Sequence, residues 1–80
     1  MRDRRPKLPQ LSAQELAKAL DKLGFEFKKQ KGSHMFFGHK DGRTTIIPNH
    51  RGEKIDRGLL NKIIKEDLKL TREKFLECLG

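Results

Sequence analysis

The stretch KQKGSHMFFGHKDGR, Lys29 to Arg43, decides the fold. A turn signal stands at each end of its short apolar run, Lys31-Gly32-Ser33 before and Asp41-Gly42 after. Such residues end strands because glycine, and to a lesser degree aspartate, accepts backbone angles that other side chains avoid. Between the turns, His34 to about His39 alternates, with Met35 and Phe37 on one face and His34 and Phe36 on the other. A further strand precedes it, where Phe25 and Phe27 alternate with Glu26 and Lys28. Another follows, where the β-branched run Thr44 to Ile47 stops at Pro48. Three short antiparallel strands result.

The flanks are helical. Ser12 caps a helix over Ser12–Leu23, Glu15 completes a capping box, and Leu11 can staple to Leu16. Leu16, Leu20 and Leu23 form its apolar stripe, and Gly24 ends it. A second helix starts at Asp56, with Leu59, Leu60, Ile63, Ile64 and Leu68 toward the core. Thr71 caps a third, in which Leu70 can staple to Phe75. The expected fold is α+β, in the order α-β-β-β-α with an extra short C-terminal helix. Two amphipathic helices cover only one face of a three-stranded antiparallel sheet, so the other face is open to solvent or a partner.

Eighty residues with 34% hydrophobic content build one small core. Residues 1–11, with Pro6, Pro9 and a basic bias, read as a flexible N-terminal arm, and residues 12–80 as a single domain. No long apolar stretch suggests a signal or a membrane span, so a soluble, cytoplasmic chain with no membrane association is expected. The lone Cys78 excludes an internal disulfide. Net charge is +8, and residues 28–57 hold eight basic against three acidic side chains. A basic middle favours a polyanionic partner, nucleic acid or an acidic protein.

All three histidines, His34, His39 and His50, fall in that basic middle. His34 and His39 begin and end one strand and project to opposite faces, which argues against a shared metal site. No cofactor is expected. His39 and His50 read as surface histidines. His34 differs in its neighbours: Gly32 allows close approach of a ligand, and Ser33 supplies a hydroxyl. Lys28, Lys29 and Lys31 precede it, and Arg43 lies across the expected hairpin. RNA cleavage uses such a set, with a base for the 2′-hydroxyl proton, cations for the phosphorane charge and a donor for the leaving oxygen. Spacing alone leaves catalysis and a plain surface histidine both open. It also leaves open whether Phe36 stacks on an unpaired base or only covers the sheet edge.

A family resemblance sharpens this. Gly32-Ser33-His34, Phe37, His39 with Asp41-Gly42-Arg43, Ile47-Pro48, His50 to Ile55 and Gly58-Leu59-Leu60 together resemble the HicA family, also called YcfA-like. The resemblance runs from about Ser12 to Leu70. It implies a fold similar to the double-stranded-RNA-binding domain and the activity of a metal-independent messenger-RNA interferase. It also implies the role of toxin in a type II toxin–antitoxin pair, blocked by a HicB-type antitoxin. The family's functional histidine falls on His34; Lys28, Lys29, Lys31, Ser33 and Arg43 are the expected RNA contacts. The chain departs from the family at Met35, often a second histidine, at Lys40, often proline, and over Glu66–Thr71, which lacks a usual glycine. The alternatives are a non-catalytic RNA-binding module of the same fold and a protein-interaction partner.

Overall fold

The computed structural model describes residues 8–79. Helix α1 (Ala13–Lys22) precedes the strands β1 (Glu26–Lys31), β2 (His34–Gly38) and β3 (Thr44–Pro48). Helix α2 (Arg57–Lys62) runs on into a π-helical turn, Ile63–Asp67, and α3 (Arg72–Glu77) closes the chain. The sheet is antiparallel in the order β1-β2-β3, so the α-β-β-β-α-α order read from the sequence stands.

Local signals formed where expected. The Ser12 hydroxyl accepts from the Glu15 amide while the Glu15 carboxylate accepts from the Ser12 amide, a complete capping box. Asp56 and Thr71 cap α2 and α3 through the Leu59 and Lys74 amides. The first hairpin turns on Gly32 at φ 60°, where a two-residue loop needs glycine. The second turns at Asp41-Gly42, as the sequence suggested. The Gly42 amide donates to the His39 carbonyl and the His39 amide to the Arg43 carbonyl, a three-residue loop with Gly42 left-handed at φ 99°.

The helices share one face of the sheet. Met35, Phe37, Thr45 and Ile47 are buried against a core that includes Leu16, Leu20, Phe25, Leu60, Ile63, Ile64, Leu68 and Phe75. His34, Phe36 and Ile46 look the other way. One expectation is corrected, and two details are added. Leu59, placed in the core, is about a third exposed, because the first turn of α2 sets it in a groove beside Thr44 and Ile46 at the edge of β3. Phe27 is 54% exposed: β1 is an edge strand without a buried residue, and the Phe27 ring meets the Phe37 ring edge-on at 5.7 Å. The folded body also reaches into the supposed arm. Leu8 and Leu11 are buried, the Ile55 amide donates to the Leu11 carbonyl, and Arg57 Nε donates to the Leu8 carbonyl at 3.0 Å. The rest of that arm, residues 1–7, lies outside the described residues.

The π turn sets how the helical layer meets the sheet. One extra residue in the turn lets the Leu68 amide reach the Ile63 carbonyl and brings Asp67 to Thr45, whose hydroxyl donates to it at 2.8 Å. The chain then reverses through Lys69 at φ 57°, the only non-glycine with positive φ among the described residues, and the Leu70 amide turns back to the Ile64 carbonyl. This left-handed position lies within Glu66–Thr71, the segment for which the resemblance leads one to expect a glycine. A side chain there costs about 1 kcal/mol relative to glycine. Lys69→Gly is predicted to raise stability by about that amount and the melting temperature by about 4–8 °C, as read by thermal denaturation.

Candidate nucleic-acid interface

The open face is organised in cross-strand rows. His34 lies between Lys31 on β1 and Pro48 on β3, and Phe36 lies between Lys29 and Ile46. Residues directly opposite share a face, so these side chains stand together on the uncovered side. His34, Lys29 and Lys31 are exposed, Ile46 is 46% exposed, and Phe36 is half-buried.

An irregularity in β1 gathers the cations. Phe27 faces Phe37 and Lys29 faces Phe36, so β1 spends one residue more than β2 over this interval. Strict alternation from Phe27 would send Lys29 and Lys31 to the helix side. The inserted residue reverses the alternation, and both join the open face. Lys28 stays there too, its stem lying across Gly38: a methyl group added at Gly38 would stand 3.1 Å from Lys28 Cε. Lys29 Nζ sits 5.1 Å above the Phe36 ring, and Lys28 Nζ meets Glu26 at 3.3 Å in an exposed pair of little energetic weight. The three lysines expected to contact RNA therefore share one face with His34.

His34 occupies the end of this face beside the Gly32-Ser33 turn. Ser33 is half-buried, and its carbonyl accepts the Asn49 amide at 2.6 Å, which continues the β2–β3 ladder past His34. Gln14 Nε2 donates to Asn49 Oδ1 at 3.2 Å and anchors the same corner to α1. A methyl group added at Gly32 would meet nothing within 4 Å, so the turn leaves room for a phosphate chain. Within the described residues the His34 ring makes no hydrogen bond or ion pair, and both its nitrogens are available.

The structure does not bring Arg43 to this group. It follows the far end of the β2–β3 ladder, where Nε donates to Asp41 at 2.8 Å, Nη1 donates to the Leu68 carbonyl and the guanidinium lies 5.1 Å from the Phe25 ring centre. His39 belongs to the same junction and is no bystander. Its Nε2 donates to the Leu23 carbonyl at 3.1 Å, which leaves Nδ1 to accept the Asp41 amide, and its ring meets Phe25 edge-on at 5.0 Å. Gly24 is obligatory beside it. Its φ is 93°, and a methyl group there would stand 2.9 Å from His39 Nε2. The Arg43 amide, aided by the Arg43 side chain and the nearby charges, holds the Asp41 carboxyl below its ordinary range. His50 lies apart from His39, in a turn lining a groove with Pro48, Glu53 and Leu59. Among the described residues no three His, Cys, Asp or Glu side chains are placed to hold a metal ion.

A three-stranded antiparallel sheet with helices on one face and this order of elements defines an α+β domain of the double-stranded-RNA-binding-domain type. The family model for the HicA toxin of bacterial toxin–antitoxin systems matches residues 13–68, and the chain belongs to that family. It is thus the toxin member of such a pair, with a cognate antitoxin as partner. No curated protein matches the chain at a significant level. The matched span contains the whole sheet and ends at Leu68, just before the Lys69 reversal. No helix among the described residues is long and apolar enough to cross a membrane.

Two predictions separate the Arg43 junction from the open face. Arg43→Ala is expected to cost about 2 kcal/mol in urea denaturation, because it strips partners from Asp41 and the Leu68 carbonyl. Its RNA affinity should remain that of the parent. Asp41 has a lowered folded-state pKa, so the stability it contributes is complete above the ordinary carboxylate range and is lost as pH falls through the lowered value. Asp41→Asn should flatten the stability–pH profile below about pH 4, as read by melting temperature against pH.

Proposed function

We propose that the chain is an endoribonuclease that cuts messenger RNA without a metal, with His34 as the proton-transfer residue. The observation that carries this reading is the placement of an imidazole, without a hydrogen bond among the described residues, at the end of an uncovered sheet face, in one row with Lys31 and with Lys29 one row further along. The His34 ring takes the proton of a 2′-hydroxyl, and that oxygen attacks the adjacent phosphorus. The bond to the 5′-oxygen breaks, water protonates the leaving oxygen, and a cyclic phosphate remains. Lys31 and Lys29 offset the added charge on the phosphoryl oxygens, and the Ser33 hydroxyl and the turn's backbone position them. Imidazole suits the task because its ordinary pKa lies near neutrality. Lys28 extends the cationic track along the strand. Arg43 is left out of the contact set, since its guanidinium is held by Asp41 and Leu68.

On this reading the cognate antitoxin is of the HicB type and silences the chain in the cytoplasm. His34→Ala is expected to lower cleavage of single-stranded RNA by at least a hundredfold while leaving the melting temperature unchanged, because the exposed ring supports nothing. Cleavage at the parent rate would remove His34 from the mechanism. Replacing the attacking 2′-hydroxyl by hydrogen should abolish cutting at that position. A protein that binds RNA in a salt-sensitive way and cuts neither substrate would instead be the non-catalytic module.

A further inference from the structure

Phe36 and Ile46 do nothing for the core. They stand side by side on the uncovered face, and Ile46 is one of only three large hydrophobics strongly exposed among the described residues. A face that is merely solvated carries polar side chains at such positions. Here the two apolar groups are instead bordered on the β1 side by Lys28, Lys29 and Lys31, so the patch suits a partner with both flat apolar surfaces and negative charge. An unpaired nucleic-acid strand has both. Its bases present faces, and its phosphates follow at regular intervals.

We propose that Phe36 and Ile46 form a base-stacking subsite, so that the toxin takes its RNA as an unpaired strand with bases on this pair and phosphates along Lys29, Lys31 and His34. The proposal rests on the RNA reading of the same face and specifies the form of RNA that fits. Along β2, Phe36 is two residues from His34, about 7 Å. A base seated on Phe36 therefore brings a neighbouring phosphate to the imidazole. A duplex offers no such fit, because its base faces are hidden in the stack and its outer surface presents phosphates and sugars. In the free protein Lys29 Nζ covers the Phe36 ring. An arriving base displaces that ammonium, which then stands beside the base's own phosphate, so the cation shields the ring until the ligand replaces it.

The chain has no tryptophan and no tyrosine, so Phe36→Trp places a single indole in the subsite. In a His34→Ala background, which prevents cutting, a single-stranded oligouridylate is expected to quench this indole saturably. The same oligonucleotide annealed to its complement should bind at least tenfold more weakly. Without the reporter, Phe36→Ala and Ile46→Ala should each weaken binding of the single strand, the former about tenfold, without changing its salt dependence. Lys29→Ala and Lys31→Ala should each lower the salt slope by about 0.7. Phe36→Leu keeps apolar cover and loses the π face, and serves if the alanine variant unfolds. Single-strand affinity unchanged in Phe36→Ala or Phe36→Leu, or equal binding of duplex and single strand, overturns the stacking subsite while leaving RNA binding intact. An indole that responds to the antitoxin and to no RNA overturns both readings and assigns the face to the protein partner. Quenching by RNA in a protein that never cuts supports the subsite and defeats only the catalytic role of His34.

Discussion

Two amphipathic helices and a short third can cover one face of a three-stranded sheet and no more. This limit organises the molecule. Of the apolar side chains that alternation sends to one side, Met35, Phe37 and Ile47 are buried with Leu16, Leu20, Ile64 and Phe75, and only Phe27, on the edge strand, stays exposed among the described residues. Whatever it sends to the other side stays in water. Among the described residues the face bearing His34 is open because the helices all pack on the other one.

The layers are held in register by a polar junction at the opposite end of the sheet. The Phe25 ring meets His39 in an edge-to-face arrangement and has the Arg43 guanidinium over it, and those two side chains reach the Leu23 and Leu68 carbonyls. One hairpin loop thereby satisfies acceptors at the end of α1 and at the end of the π turn. Carbonyls at helix ends lack intrahelical partners, so each such bond joins two elements that would otherwise be linked only by apolar contact. Among the described residues His39 and Arg43 join elements in this way, while His34 makes no hydrogen bond.

Features set by near neighbours were legible in the sequence. Ser12 with Glu15, Asp56 and Thr71 each cap as their spacing requires, and the alternation of His34 to Phe37 assigned faces to four side chains correctly. Features set by distant contacts were not. Nothing near Lys28 announces the extra residue in β1. The only hint is Gly38, which leaves space above the sheet for a lysine stem, and a glycine inside a strand can mark a bulge. The π turn, the burial of Leu8 and the partners of His39 and Arg43 likewise depend on segments that meet only in three dimensions. Within the site, His34 was visible through its Gly-Ser-His context. The grouping of the three lysines with it was not, since alternation alone divides them between two faces.

The inserted residue in β1 bears on how the molecule behaves in company. Among the described residues the outer edge of β1 carries a row of backbone donors and acceptors without strand partners, the kind of edge along which identical chains join into fibres. A bulge bends such an edge, and lysines along it repel a second copy. The irregularity that aims Lys29 and Lys31 toward His34 therefore also discourages stacking of one toxin on another. A deletion between Phe27 and Lys29 would therefore disperse the cations and straighten the free edge in one event.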